Sequence, residues 1–402
     1  MAAIPDGSRI YSAGASAVPL GILEAMANQN DRWTAIELVS DYLPVPLPVF
    51  EHPGAPFHMT SLQPSGALKS MIEAGAYTSA ASALSSWAAK MAKGGALAID
   101  VALIHVSSPG PDGRFSLGVN TVTPLDAMAA ADLVIAQVNP RMPYTYGAAE
   151  IELDEIDMLV EVDHAIVEFP AAVADATTQT VGALVAEQVA NGSWLQLGLG
   201  ALPDVVCAGL TGHQNLGIHS GMIADGVIDL HGSGALTGAN HPDFPGKIVT
   251  GGIFGTKRLF DWAHQNRDIV MATPRVTHGL GAMAALPNFC AINSAIEVAI
   301  DGSINSERIG DRVISGPGGA PDYAEIAAAI PTARFFVALP STAARGTKSR
   351  IVSELQAPAT VPGEQVDVVI TEHGVADIAD LHGTDRARAL ATIADPTFRP
   401  LT

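Results

Sequence analysis

Gly217-Ile218-His219-Ser220-Gly221 is where the residue types and spacing of this chain come nearest to chemistry. An apolar run that ends in small residues reads as a buried strand stopping at a turn. Such a strand delivers its last side chains to the carboxyl edge of a parallel sheet, where α/β proteins bind ligands. Position 221 brings no side chain to that edge. Its neighbours are functional but ordinary: His219 reads as a partly buried strand histidine, and Asp225, which precedes Gly226, reads as a turn residue bonding its own backbone. Ser220 has no base identifiable in the sequence.

The elements that must position these residues are legible around them. Trp194–Leu197 reads as a strand, followed by a glycine turn, a helix begun after Pro203, and a second strand over Leu216–His219. Gly7–Pro19 has the same order of strand, glycine turn and proline-led helix as Gly192–Pro203, so two similarly folded α/β halves are expected. The seam is placed near Phe169-Pro170-Ala171, giving domains 1–172 and 173–402. Further strands are expected in Ala98–Val106, Val162–Phe169, Gly246–Phe254, Asp268–Thr273 and Val366–Thr371, and within Leu133–Arg141 and Arg334–Thr342, where apolar strands run into Pro-containing turns. Helices are expected over Ser79–Lys93, Ala174–Ala190, Thr256–His264, Tyr323–Ala329 and Asp385–Ile393. The strands are continuously apolar, which suits parallel sheets covered on both faces.

Composition sets the class. With 402 residues, 48% of them hydrophobic and 15% charged, the chain is long enough for two or three globular domains. The first residues carry no basic segment followed by an apolar one, and Lys90, Lys93, Asp126 and Asp132 break the alanine-rich runs, so neither an export signal nor a membrane span is expected. Cys207 and Cys290, both in apolar contexts, suit a reducing cytoplasm and read as core residues, with no metal site expected. A net charge of −20 repels nucleic acid. Of the 21 Lys and Arg residues 7 precede residue 171, so an anion pocket is sought in the second half, around Lys257, Arg258, Arg345, Lys348 and Arg350.

These residues also match a family. In order, Val106–Asn120, Val134–Gly147, Leu195–Asp204, Leu216–Leu230, Gly246–Asp261, Ala291–Asn305, Ser315–Tyr323, Lys348–Val352 and Thr371–Ile378 resemble the acetyl-CoA hydrolase/transferase family, a branch of the class I CoA-transferases. The resemblance implies two similar open α/β domains with mainly parallel sheets, in the NagB/RpiA/CoA-transferase-like architecture, assembled as a homodimer. It implies an acyl-CoA thioester and a small carboxylic acid as partners, with the coenzyme A thioester as substrate and no permanently bound cofactor.

In such transferases a glutamate attacks the thioester and passes through acyl-glutamyl and glutamyl-CoA intermediates. It stands in a pattern resembling Gly-Ile-His-Thr/Ser-Glu, and here that place is Gly221. A glycine can form neither intermediate. The turns Gly198-Leu199-Gly200 and Gly316-Pro317-Gly318-Gly319 are similar to the loops that present N–H groups to the thioester oxygen, where a Cβ would hold substrate away. Two departures accompany them. Ala320-Pro321 stands where a Gln-hydrophobic pair is usual, and Arg275-Val-Thr-His-Gly279 stands where relatives place an Asn supporting the oxyanion site. Replacement groups are Asp225 if its loop folds back, Glu297 if it faces the cleft, and His219 as a base for water. For Glu297 a structural hydrogen bond or ion pair is the alternative.

Three functions remain open from the sequence: a CoA-transferase or acyl-CoA hydrolase, the latter with water in the vacated space; a CoA-fold enzyme with different chemistry, such as hydration or carbon–carbon cleavage; or a non-catalytic binder of CoA thioesters.

Overall fold

The strand-turn-helix unit at the amino terminus and its counterpart after Gly192 fold alike. The computed structural model describes residues 1–51, 54–170 and 172–399; Ala171 of the expected seam lies outside them. Gly7 and Gly192 adopt φ of +79° and +78°, a left-handed turn open to glycine at no steric cost. Their N–H groups donate to the carbonyls of Ala35 and Gln214, each at 2.9 Å.

One compact unit comprises Met1–Phe169 and Gly251–Pro274. Its strands are β1 (Arg9–Ser12), β2 (Ile36–Tyr42), β3 (Phe57–Gln63), β4 (Tyr77–Ser79), β5 (Val101–Val106), β6 (Leu133–Val138) and β7 (Met158–Glu161). They form one parallel sheet in the order β4-β3-β2-β1-β5-β6-β7. Helix α1 (Leu20–Ala27) follows β1. Leu38, Met59, Leu103 and Ile135 belong to one fully or nearly fully buried cluster, each such side chain worth about 1.5–3 kcal/mol of transfer free energy.

The other unit comprises Pro170–Thr250 and Arg275–Thr402. Its main sheet contains β8 (Trp194–Leu197), β9 (Gly217–Ser220), β10 (Ile248–Thr250), β11 (Phe289–Asn293), β12 (Arg334–Ala338), β13 (Val368–Thr371) and β14 (Gly374–Asp377). Within this unit they run β10-β9-β8-β11-β12-β13-β14, all parallel but β14. Its helices include α2 (Ala176–Gln188), capped by Asp175 through the Thr178 N–H, α3 (Ala201–Gly209), α4 (Gly226–Gly232) and α5 (Ala320–Ala329). β8 and β1 occupy corresponding places, each between the strand that follows it in sequence and the next strand toward the other edge.

The structure departs from the sequence reading in three places. The helix expected over Ser79–Lys93 is confined to Trp87–Met91. Residues 77–79 join the sheet instead, because the Met59 and Ala80 N–H groups donate to the Ala76 and Ser61 carbonyls, and ladder bonding outweighs alanine's helix preference. The strand expected over Val162–Phe169 lies upstream, in β7. Gly251–Pro274 belongs to the first unit, held there by backbone bonds from Thr121 to Gly251 and from Phe169 to Gly255, both within 3 Å. Among the described residues no helix is long and apolar enough to cross a membrane.

Candidate active site

The carboxyl ends of β8 and β9 are locked side by side. The Leu197 N–H donates to Ser220 Oγ at 3.2 Å, and that hydroxyl donates to the Leu197 carbonyl at 3.3 Å. The Met222 N–H approaches the same oxygen at 3.4 Å. The turns that follow, at Gly198 and Gly221, therefore leave neighbouring strands together. Gly200 has φ of +110° with open space around it and precedes α3. Gly318 has φ of +56°, and Gly319 precedes α5.

Gly221 lies outside the left-handed region, so its backbone does not demand glycine. Space does. A Cβ there would lie 2.6 Å from Cε1 and 2.9 Å from Nε2 of His278, and 3.2 Å from the Tyr323 hydroxyl. A Cβ on Gly319 would collide with the same Nε2 and lie 2.8 Å from Cδ2. The His278 imidazole is thus wedged between two glycines. The expected water-filled vacancy is replaced by a ring, because two absent side chains leave a slot of imidazole size. His278 Nδ1 bonds Thr277 Oγ1 at 2.9 Å. The ring packs 4.5 Å from that of Tyr323, centroid to centroid, and the Tyr323 hydroxyl donates to the Thr277 carbonyl at 3.0 Å. No hydrogen bond engages His278 Nε2 among the described residues.

Burial, followed by the neighbouring His219, pushes His278 down to about 3, so the ring is neutral at physiological pH. His219 itself is fully buried and lowered by the same desolvation. Its Nε2–H donates to the Val276 carbonyl at 2.9 Å, which leaves Nδ1 to accept from His241 Nε2 at 2.9 Å. His241 Nδ1 in turn accepts the N–H groups of Asp243 and Phe244, each at 3.1 Å. Every nitrogen of this histidine pair is occupied, so His219 has no lone pair to offer a water molecule. The sequence pointed to His219 at this edge, and the structure makes it a brace for the segment that carries His278.

The remaining candidates lie elsewhere. Asp225 precedes α4 beside Asp204, whose carboxylate accepts the Gly226 N–H at 2.9 Å; neither carboxylate is among the atoms nearest the Gly221 slot. Glu297 stands on a small strand, Glu297–Ala299, and its Oε1 accepts from Asn305 Nδ2 and the Gln356 N–H, both at 2.9 Å. Lys348 is exposed on a short hairpin with Thr342–Ala343. Arg350 Nη1 donates to the Ala295 carbonyl at 3.3 Å, while its Nε is buried without a partner. Sequence reasoning named the segments of Tyr323 and Thr277 but gave neither residue a part in the site. It marked the Arg275–Gly279 segment as divergent without placing the His278 ring in the Gly221 slot; the coincidence of that departure with the missing carboxylate was the available signal.

The first unit carries a different group at the corresponding place. β1 pairs Arg9 with Glu37, and β8 pairs Trp194 with Gly217, so four residues further along Asp41 corresponds to Gly221. Asp41 is 4% exposed. Its Oδ2 accepts from Thr123 Oγ1 at 2.6 Å and Asn120 Nδ2 at 3.1 Å, and its Oδ1 from the Tyr42 N–H at 2.7 Å. Burial pushes this carboxyl up, opposed by those bonds.

Comparison with known proteins identifies the family. Residues 1–170 match the acetyl-CoA hydrolase/transferase N-terminal domain and residues 255–401 its C-terminal domain. Gly221 lies between the matched stretches. A 4-hydroxybutyrate coenzyme A transferase from Clostridium kluyveri is 38% identical over 305 residues, 75% of this chain and 71% of the relative. The crystal structure of RipA from Yersinia pestis superposes with a TM-score of 0.92 at 26% identity, over 99% of this chain and 93% of that one. A 4-hydroxybutyrate CoA-transferase from Porphyromonas gingivalis gives 0.84 at 28% identity, with the same coverage. The chain belongs to the acetyl-CoA hydrolase/transferase family.

Proposed function

We propose that the protein hydrolyses short-chain acyl-CoA thioesters at the carboxyl edge of the second unit, with water taking the part that a glutamate plays in CoA transfer. One observation carries this reading: residue 221 has no carboxylate, and an imidazole fills the volume its side chain would need. The turns at Gly198-Leu199-Gly200 and Gly316-Gly318-Gly319 serve as N–H donors to the thioester oxygen, Leu199 being 43% exposed at the first of them. Lys348 and Arg350 are the cations assigned to CoA. Asp225 and Glu297 are assigned structural roles, on the strength of their neighbours and hydrogen bonds.

Two buried free cysteines support a reducing, cytoplasmic setting, and the charge of −20 argues against nucleic acid. Family likeness supports a homodimer without a membrane partner, a domain division at 172/173 with Gly251–Pro274 returning to the first unit, and a coenzyme A thioester as substrate rather than a resident cofactor.

The test is thiol release from acetyl-, propionyl- and butyryl-CoA, with and without acetate as acceptor, followed by mass spectrometry after hydroxylamine or borohydride. Thiol release independent of acetate, with no protein adduct, is expected. Acetate-dependent transfer through a covalent adduct overturns the reading. Thioester binding without thiol release establishes instead a non-catalytic binder, the alternative favoured by the full engagement of His219 and Ser220.

A further inference from the structure

The ring that fills the Gly221 slot packs between two glycines and against Tyr323. We propose that His278 is the catalytic base of this centre, its Nε2 taking the proton of the water that attacks the thioester carbonyl. The proposal rests on the hydrolase reading above and assigns that reading's missing group.

Three observations converge on the ring. The first is position: a Cβ at either Gly221 or Gly319 would strike Nε2, so the atom faces both the end of β9 and the turn before α5. The second is orientation. Thr277 Oγ1 holds Nδ1, and Tyr323, tied to the Thr277 carbonyl, packs against the ring. In the tautomer with Nδ1–H donating to Thr277, Nε2 keeps its lone pair. The third is the state of the neighbours. Both His219 nitrogens are engaged, and the Ser220 hydroxyl is spent on Leu197. The titratable groups near His278 are His219 and the Tyr323 phenol, and Tyr323 is pushed well above its ordinary value by burial.

The step balances without a further reactant. Water oxygen bonds the carbonyl carbon as Nε2 removes a water proton, and the carbonyl becomes an oxyanion facing the backbone donors. The tetrahedral intermediate then expels CoA as a thiolate, the carbon–sulfur bond breaks, and the imidazolium returns its proton to sulfur. The products are free CoA and a carboxylic acid. A dry site disfavours a lone imidazolium, but here the cation forms only together with an oxyanion, and each charge stabilises the other in the transition state.

Thiol release from acetyl-CoA is compared for wild type, His278→Gln and His278→Gly, with thioester binding measured by calorimetry on each. The expected result is unchanged binding with kcat lowered by about 10²–10⁴-fold, and partial recovery of the His278→Gly rate on addition of free imidazole. Wild-type turnover in His278→Gln overturns the assignment while leaving hydrolysis intact. A glycine variant that folds, binds thioester and fails to respond to imidazole assigns the ring to packing and also overturns it. A wild type that binds thioester and releases no thiol removes the hydrolase reading itself, and the base with it.

Discussion

At corresponding strand ends, both units solve a crowding problem with a glycine, but in opposite directions. In the first unit the strand-end residue intrudes: Asp41 pushes its carboxylate against Gly14, where any Cβ would overlap Oδ1 and lie 2.6 Å from the Tyr42 carbonyl. In the second the strand-end residue yields, and Gly221 makes way for His278. The first edge is closed by a carboxylate whose oxygens are all spoken for by Thr123, Asn120 and the Tyr42 N–H. The second presents a ring with one nitrogen uncommitted. The same topology thus supplies a sealed edge and a reactive one, and the difference lies in which partner of the contact lacks a side chain.

Gly14→Ala tests the sealed edge most severely. A backbone carbonyl cannot be displaced cheaply and the carboxylate network would be broken, so a loss of about 3–5 kcal/mol is expected in urea denaturation. Combining it with Asp41→Ala should cost less than the sum of the two single changes. Full additivity would show that the two residues do not share the space.

At the reactive edge Gly221→Ala should cost about 1–3 kcal/mol, and little when His278→Gly accompanies it. The functional counterpart is sharper. Gly221→Glu alone should form no adduct with acyl-CoA, whereas Gly221→Glu with His278→Gly should give a CoA thioester on the new glutamate, detected by mass. An adduct in the single variant would refute the idea that the ring excludes a side chain.

Acid should weaken both units through their buried histidines. His278 and His105 are each pushed down to about 3, chiefly by burial, and His241 to about 4. Their folded values lie below the ordinary 6.5, so the unfolded chain binds protons first. The stability they contribute is complete above about pH 6.5 and is lost as pH falls toward 3–4. For a buried histidine such as His278 the slope is at most ~1.4 kcal/mol per pH unit. Asp41, with its carboxyl raised, works in the opposite direction over the lower part of that window. A melting temperature constant between pH 6.5 and 5 would contradict the assignment of neutral rings.

The smallest effect is expected from Ser220→Ala. Its hydrogen bonds are long, 3.2–3.4 Å, so about 1 kcal/mol should be lost, with a larger effect on turnover than on stability if the two strand ends drift apart.

Much of this was legible in the sequence. β8, β9 and the helix after each glycine turn follow from apolar runs punctuated by Gly and Pro, and α2 lies inside its expected span. The helix expected at Ser79–Lys93 was misread because alanine content says nothing of the edge strand waiting to be paired. Asp41 gave no signal, since Asp-Tyr-Leu-Pro reads as an ordinary turn. The slot was illegible for a geometric reason: Gly221, His278 and Gly319 are far apart in sequence, and only folding shows that one ring answers two absences.

That wedged ring also fixes the order in which this centre can change. A side chain at position 221 forces His278 to move, and removing His278 alone leaves neither imidazole nor carboxylate in place. A change from imidazole to carboxylate by successive single substitutions passes through a crowded or an empty state, so the exchange behaves as a ratchet. Substitution one residue at a time is therefore expected to alter the imidazole more readily than to install a carboxylate beside it.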